Sequence, residues 1–359
     1  MQYQWKKKEI INKIRILLEI FNQEEKAIED KPIIVSSIET YYKMLTLIAA
    51  KEIQLISEEK NSNNLENFVK TMNSHKKDYP FLFEEEHKDF IEKLSKLKII
   101  DQKKYSKINS KPKELTKEAK LFFQSLNTFM IDNLNEVEKI NPHLYHFTKN
   151  SDVFGCCFFD FYNKIPYILI RHSKNITDIL TTIHEIGHSI EYINSTTNNF
   201  KSINTEFLPY LLEMFFYKYN KYYQNDLQNN FLTSYNNVIY FAKDAYKQMN
   251  LYERFKGDEK IVEKFNNFSP ILSHKLCQNN FEIPFIDVVK YIHSYMNASK
   301  VYEVYIDYPK EVLNILINSV KQGDINQYHK YFNQIDINFN DLNIENFQQQ
   351  QEKLFIKKY

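Results

Sequence analysis

Thr182-Ile183-His184-Glu185-Ile186-Gly187-His188-Ser189 decides how the rest of the chain is read. The stretch contains His-Glu-x-x-His. On an α-helix, residues four apart lie on one face about one turn along the axis. His184 and His188 then present two imidazoles to a single metal ion. Glu185, the next residue round from His184, reaches toward a water held by that ion, the arrangement of a zinc hydrolase. The motif carries this meaning only on a helix, and its flanks predict one. Ile176, Ile179, Leu180, Ile183, Ile186, Ile190 and Ile193 recur at helical spacing. Ser173, Asn175 and Thr177 are candidate N-caps ahead of the run. Gly187 has no side chain, so another backbone can pass close to the metal face.

A catalytic zinc takes three protein ligands and keeps one position open. Two acids compete for the third place. Glu191 is seven residues after His184 on the same face, but ~10 Å further along the axis, too far for a straight helix to share one ion. Glu206 lies 18 residues after His188, beyond polar residues 194–204. It opens a new helical run with Phe207, Leu211, Met214 and Phe215, and Pro209 falls in that helix's first turn, where its missing N–H costs little. Glu206 is the expected ligand. Glu213 is seven residues further on the same face and is expected to accept the free ring N–H of a ligating histidine.

Ahead of the motif the hydrophobic period changes. Val153-Phe154-Gly155-Cys156-Cys157-Phe158-Phe159 and Tyr167-Ile168-Leu169-Ile170 are short apolar runs separated by Asn163-Lys164-Ile165-Pro166. They predict two strands joined by a turn. A strand beside a metal site can pair with an extended peptide backbone.

Residues 1–150 read as helices. One stripe is Ile10, Ile11, Ile14, Leu17, Leu18 and Phe21; a second runs from Met44 to Ile56. A third, Phe122, Leu126, Phe129, Met130 and Leu134, follows a possible Thr116 cap. Residues 61–64 and 105–113 read as loops. The glutamine run 348–351 is too short for more than a polar helix face or a frayed tail. The division this suggests is an N-terminal helical lobe, 1–150, and a catalytic region, 151–359.

Composition narrows the function classes. The chain has 359 residues, 43% hydrophobic and 26% charged, as in a globular protein able to bury a large core. A net charge of +1 gives no electrostatic case for nucleic acid or an acidic membrane surface. Only four glycines are present and no Gly-rich phosphate loop exists, which argues against nucleotide-binding folds. Cys156, Cys157 and Cys277 make no disulfide framework and fit a reducing, cytoplasmic setting. The first ten residues are charged, and the apolar run 14–21 is interrupted by Arg15 and Glu19. Neither a signal peptide nor a membrane span is expected.

Three segments together resemble the thimet oligopeptidase / oligoendopeptidase F family of zinc metallopeptidases. They are Gly155-Cys156-Cys157-Phe158, then Ile165-Pro166-Tyr167-Ile168-Leu169, then residues 178–189 with His-Glu-x-Gly-His. In that family a Glu-x6-Glu helix follows, its first Glu binding zinc; Glu206 and Glu213 match the spacing. The family also carries a late histidine followed by tyrosines. Here His293 is followed by Tyr302 and Tyr305 at the matching spacing, with residues 297–299 in place of the family's glycine-rich loop and His274 as the fallback histidine. Glu191 stands where relatives often have His. The similarity covers roughly residues 150–310.

The resemblance implies a mostly helical fold, with a small hairpin or sheet beside the motif helix and a central substrate cleft. It implies one zinc per chain on His184, His188 and Glu206, with Glu185 as base. His293 and one of Tyr302 and Tyr305 would donate hydrogen bonds to the tetrahedral oxyanion. The expected activity is endopeptidase hydrolysis of short unstructured peptides. The alternatives are a non-catalytic peptide-binding scaffold and a specialised peptidase that matures one peptide.

Overall fold

The computed structural model describes residues 65–108, 110–149, 154–160, 164–196, 203–256, 285–323, 327–339, 341 and 343–356, with four isolated positions nearer the N-terminus. Among the described residues the chain is helical apart from one small sheet. Helices α1 (Leu65–Asp78), α2 (Glu85–Ser95), α3 (Pro112–Leu126) and α4 (Thr128–Ile140) precede strands β1 (Tyr145–Thr148), β2 (Gly155–Asp160) and β3 (Ile165–Arg171). Helix α5 (Ile176–Asn194) carries the His-Glu-x-x-His motif. It is followed by α6 (Phe207–Tyr219), α7 (Gln224–Phe255), α8 (Phe285–Asp307), α9 (Pro309–Gln322), the short α10 (Tyr328–Phe332) and α11 (Ile344–Gln351).

The motif helix is held at its start by its own sequence. Of the three candidate caps, Asn175 is the one used: its side chain accepts from the Thr177 N–H at 2.8 Å. Asp178, in the first turn and almost fully buried, accepts from the Ser173 and Lys174 N–H groups, each at 2.8 Å. The predicted isoleucine stripe is buried from Ile176 to Ile190, with Ile193 packed at its edge. One side of α5 lies on β2 and β3 and the other on α6, so the helix is central. Gly187 marks the crossing with α6. A Cβ there would come within 3.1 Å of the Leu212 side chain and 3.2 Å of the Pro209 Cα.

The sheet has three strands in the order β1-β3-β2. β2 and β3 pair antiparallel, from Gly155 opposite Ile170 to Asp160 opposite Ile165. β1 adds to the other side of β3 in parallel, Tyr145 opposite Ile168; this third strand was not evident in the sequence. β3 is central and buried on both faces, which explains its continuous apolar run rather than an alternating one. Among the described residues β2 is an edge strand.

Several expectations need correction. The stripe over residues 122–134 is not one helix. Asn127 is extended and ends α3; its side chain then caps α4 by accepting from the Phe129 N–H at 2.8 Å. α3 begins at Pro112, so Thr116 lies inside the helix. The glutamines near the C-terminus are not a frayed tail: Gln350 and Gln351 are buried, and Gln351 accepts from the Tyr295 hydroxyl at 3.0 Å. Most of the two most N-terminal stripes and His274 lie outside the described residues. No helix among the described residues is long and apolar enough to cross a membrane.

The largest correction concerns residues 297–299. No turn interrupts them; α8 runs unbroken from Phe285 to Asp307. Their polar side chains are satisfied within the helical arrangement. Asn297 donates to the Asn204 side chain at 3.0 Å, and Ser299 donates back to the Tyr295 carbonyl at 3.0 Å.

Candidate metal centre and active-site cleft

His184 and His188 stand one turn apart on α5 with ring centroids 5.1 Å apart. Glu206, the residue that caps α6, reaches between them. Its Oε2 is 3.1 Å from His184 Nε2 and 3.3 Å from His188 Nε2. One donor atom from each of the three lies within 4.8 Å of the others. Ligands sharing a tetrahedral ion with bonds of about 2.0–2.1 Å sit roughly 3.3 Å apart. The trio therefore fits a zinc-sized ion in both spacing and donor chemistry. The Glu206 backbone is held from α8, where the Ser294 hydroxyl accepts its N–H at 3.3 Å.

Each imidazole is oriented from behind. His184 Nδ1 lies 2.7 Å from Glu213 Oε1, two turns along α6 from Glu206. His188 Nδ1 faces Glu191 Oε2 at 3.8 Å. Glu191 therefore lies on the far side of His188 from Glu206 and does not share the cluster. Tyr210 meets the His184 ring edge-on at 5.6 Å, and Tyr192 stacks on His188 at 5.9 Å.

The charges bind this cluster tightly. Burial opposes charge on His184, but hydrogen bonds with Glu206 and Glu213 outweigh it and hold its pKa well above the ordinary value. His188 behaves alike: burial opposes charge, Glu206 and Glu191 favour it, and the pKa is pushed up to about 10. Burial alone would raise Glu206, but positive His188 and the hydrogen bonds from both rings hold it below the usual carboxylate range. A divalent ion bound at this point would displace any proton on the ring nitrogens that face Glu206.

Glu185 is buried beside this cluster. Burial raises its pKa, against the pull of His184 and His188. Gly155 of β2 backs directly onto it: a Cβ at Gly155 would stand 2.6 Å from Glu185 Oε1. His184, Glu185, His188, Glu206 and Glu213 all line one cleft of about 880 Å³. Its near wall is the edge strand β2, through Gly155, Cys156 and Cys157. Cys157 is kept a thiol by burial and by negative Glu185, and its sulfur lies 3.3 Å from the Ser189 hydroxyl.

The far wall is α7, through Asn230, Thr233, Ser234 and Asn237, a neutral polar stripe at helical spacing. Residues around 100–105 run along that helix, strapped to it by side-chain amides. Asn236 bonds both the N–H and the carbonyl of Ile100, at 3.0 and 2.7 Å, and Asn229 does the same for Lys103, at 2.9 and 2.6 Å. This places Tyr105 in the cleft, 2.9 Å from the Thr233 hydroxyl.

The three residues expected as oxyanion donors are not brought to this cleft. His293 Nε2 lies 3.0 Å from His87 Nε2, and its ring packs against Phe81 and Phe90. Tyr305 stacks on Phe215 at 3.9 Å, and Tyr302 stacks on Phe355 at 5.9 Å. The reason is helical geometry. With α8 continuous, His293 is about 120° round from the middle of the cleft face, and Tyr302 and Tyr305 lie roughly 16 and 21 Å beyond Tyr291 along the helix. The cleft face of α8 is Asp287, Lys290 and Tyr291. Tyr291 is the residue that sequence reasoning missed. Its phenol pKa is raised first by negative Glu206 and then by burial, so it stays an O–H donor. The signal was present in its place two residues before His293, but only a continuous helix gives it meaning.

No known protein-family model matches the chain, and no curated protein matches it either. Among solved structures, it is similar to one described as an oligoendopeptidase F from Bacillus anthracis strain Ames. The TM-score is 0.52, with 13% identity over 91% of this chain and 63% of that one. A 3.1 Å X-ray structure also described as an oligoendopeptidase F gives a TM-score of 0.55 and 12% identity, over 91% of this chain and 67% of that one. The chain thus spans about two thirds of the length of those structures. It has the mostly helical fold of the oligoendopeptidase F structures, at an identity that marks it as divergent from them.

Proposed function

We propose that the chain is a zinc-dependent endopeptidase that hydrolyses short unstructured peptides. The observation that carries this reading is the meeting of His184, His188 and Glu206 at one point, with the Glu185 carboxyl in the same cleft. Two imidazole nitrogens and one carboxylate oxygen suit zinc better than magnesium or calcium, which favour all-oxygen sites. A bound zinc would supply Lewis acidity, making a water acidic and polarising the scissile carbonyl.

The chain's own residues divide the remaining work. Glu185 takes the proton of the attacking water and later delivers it to the leaving amine. Its raised pKa brings it closer to the range in which one carboxyl can do both. Glu213 fixes the tautomer of His184 through Nδ1, which leaves Nε2 free to ligate. Tyr291, held protonated by Glu206 and burial, offers an O–H donor on the α8 wall toward the developing oxyanion. Among the described residues β2 has no second neighbouring strand, so its outer edge offers N–H and carbonyl groups to an extended peptide. The neutral polar face of α7 closes the other side of that peptide.

The deciding experiment is cleavage of a quenched fluorescent peptide library by purified protein carrying measured zinc. We expect turnover that is abolished by chelator and restored by zinc. Glu185→Gln should retain zinc and lose turnover, because the amide keeps the shape without a base. Activity near the parent level in Glu185→Gln would remove the proposed mechanism, and zinc-loaded protein that cuts no peptide would leave a peptide-binding scaffold.

A further inference from the structure

Glu191 is a buried acid in α5, beside the metal site, whose position the proposed chemistry does not use. Its side chain is 1% exposed, in a helix whose neighbours on both sides are apolar. A carboxylate placed there is costly unless it is partnered. It has two partners. The Tyr328 hydroxyl donates to Oε1 at 2.7 Å, and His188 Nδ1 faces Oε2 at 3.8 Å. Glu191 is therefore a bridge between a fixed hydroxyl and the back of a candidate metal ligand.

Tyr328 is well placed to fix it. It belongs to α10, more than 130 residues along the chain, and is itself fully buried. Its ring packs on Phe207 at 4.8 Å, and Phe207 is the residue that follows Glu206. Phe332 of the same short helix packs on Phe207 too, at 5.6 Å. The C-terminal segment thus rests against the base of the Glu206 turn and holds the carboxylate behind His188.

The two histidines are supported differently. His184 has a direct bond of 2.7 Å to Glu213. The contact from His188 to Glu191 is 3.8 Å, longer than a hydrogen bond, so the carboxyl limits the ring's orientation by its position rather than by a directed bond. Such a contact holds an orientation only if the carboxylate itself is held. The Tyr328 hydroxyl bond does this by fixing one oxygen.

We infer that Tyr328 and Glu191 form a positioning pair that sets the orientation of His188, and through it the affinity of the metal centre. The inference rests on the zinc-site reading above. It makes the C-terminal segment part of the metal centre without supplying a ligand. Removing partners of ligating histidines typically weakens metal binding by about 10–100-fold.

The test compares the parent with Tyr328→Phe and Glu191→Gln. Zinc dissociation constants are read by chelator competition, visible spectra are read on the cobalt-loaded proteins, and melting of the metal-free proteins serves as control. We expect zinc to bind about 10-fold or more weaker in both variants, with altered cobalt bands, beyond any change in metal-free melting. Tyr328→Phe keeps the ring and its packing on Phe207, so it remains readable even if Glu191→Gln fails to fold. Dissociation constants within twofold of the parent, with unchanged cobalt bands, would overturn the inference and leave the bond as a tie between α10 and α5. A parent that binds neither ion overturns the zinc-site reading itself, and this inference with it.

Discussion

His87 and His293 stack 10° from parallel with their Nε2 atoms 3.0 Å apart, joining α2 to α8 inside the core. One ring must donate and the other accept, so the pair tolerates no second proton. Burial lowers His87 to about 4, and burial with the positive charge of its partner lowers His293 well below the ordinary value. Among the described residues, Lys300 lowers it further.

The sign of the resulting pH effect follows from linkage. The unfolded chain protonates both rings near 6.5, while the folded chain resists, so stability is complete above about 6.5 and is lost as pH falls toward the folded values. His87 alone corresponds to roughly 3 kcal/mol across that window. Thermal melting between pH 6 and 4.5, where the raised His184 and His188 are protonated in both states, should show a falling Tm. The double variant His87→Leu/His293→Leu should flatten that slope; an unchanged slope would put the sensitivity elsewhere.

Zinc retention should separate the two acids that compete for the third ligand place. Glu206→Ala removes a donor atom 3.1 and 3.3 Å from both imidazole nitrogens, so the purified protein should lose most of its metal. Glu191→Ala should weaken binding by a smaller factor, about 10–100-fold, because it acts through His188. Elemental analysis after dialysis against a mild chelator reads the difference. The reverse order would make Glu191 the ligand.

Tyr291→Phe should lower kcat by about 10²–10³ with zinc content and melting unchanged, the usual cost of losing one donor to an oxyanion. Tyr305→Phe and Tyr302→Phe should leave kcat within a fewfold of the parent, since both rings are packed against Phe215 and Phe355 rather than facing the cleft. Steady-state kinetics on one peptide decides between them. A large kcat loss in Tyr305→Phe with Tyr291→Phe unaffected would reverse the assignment.

Gly155→Ala should damage activity out of proportion to the one methyl added. The new Cβ would meet the Thr181 methyl and would stand 2.6 Å from Glu185 Oε1. β2 or the Glu185 side chain must then move. We expect kcat to fall by at least 10-fold while zinc is retained, because the displaced group is the base and not a ligand. A variant with parental kcat would show that Glu185 has room to relax.

The centre of this protein was legible in local spacing. Four residues make one helical turn whatever surrounds them, so His184 and His188 had to share a face once the isoleucine stripe made the segment a helix. Glu206 and Glu213 share a face by the same arithmetic at seven residues, although their meeting with the histidines is made by packing of α6 on α5, and β3 follows from an apolar run too short for a helix. Long-range placement was not legible. Residues 297–299 stay helical among partners distant in sequence, Asn204, 93 positions away, accepting from Asn297. That one bond belongs to the packing which keeps the helix continuous, turning His293 toward His87 and Tyr291 toward the cleft. Glu191 likewise reads on the helix only as a second candidate ligand. Its place beside His188 follows from three-residue helical spacing, but the hydroxyl that holds its other oxygen comes from 137 positions away. Periodicity specifies which face a residue occupies on its own element, whereas partners distant in sequence meet only when separate elements pack.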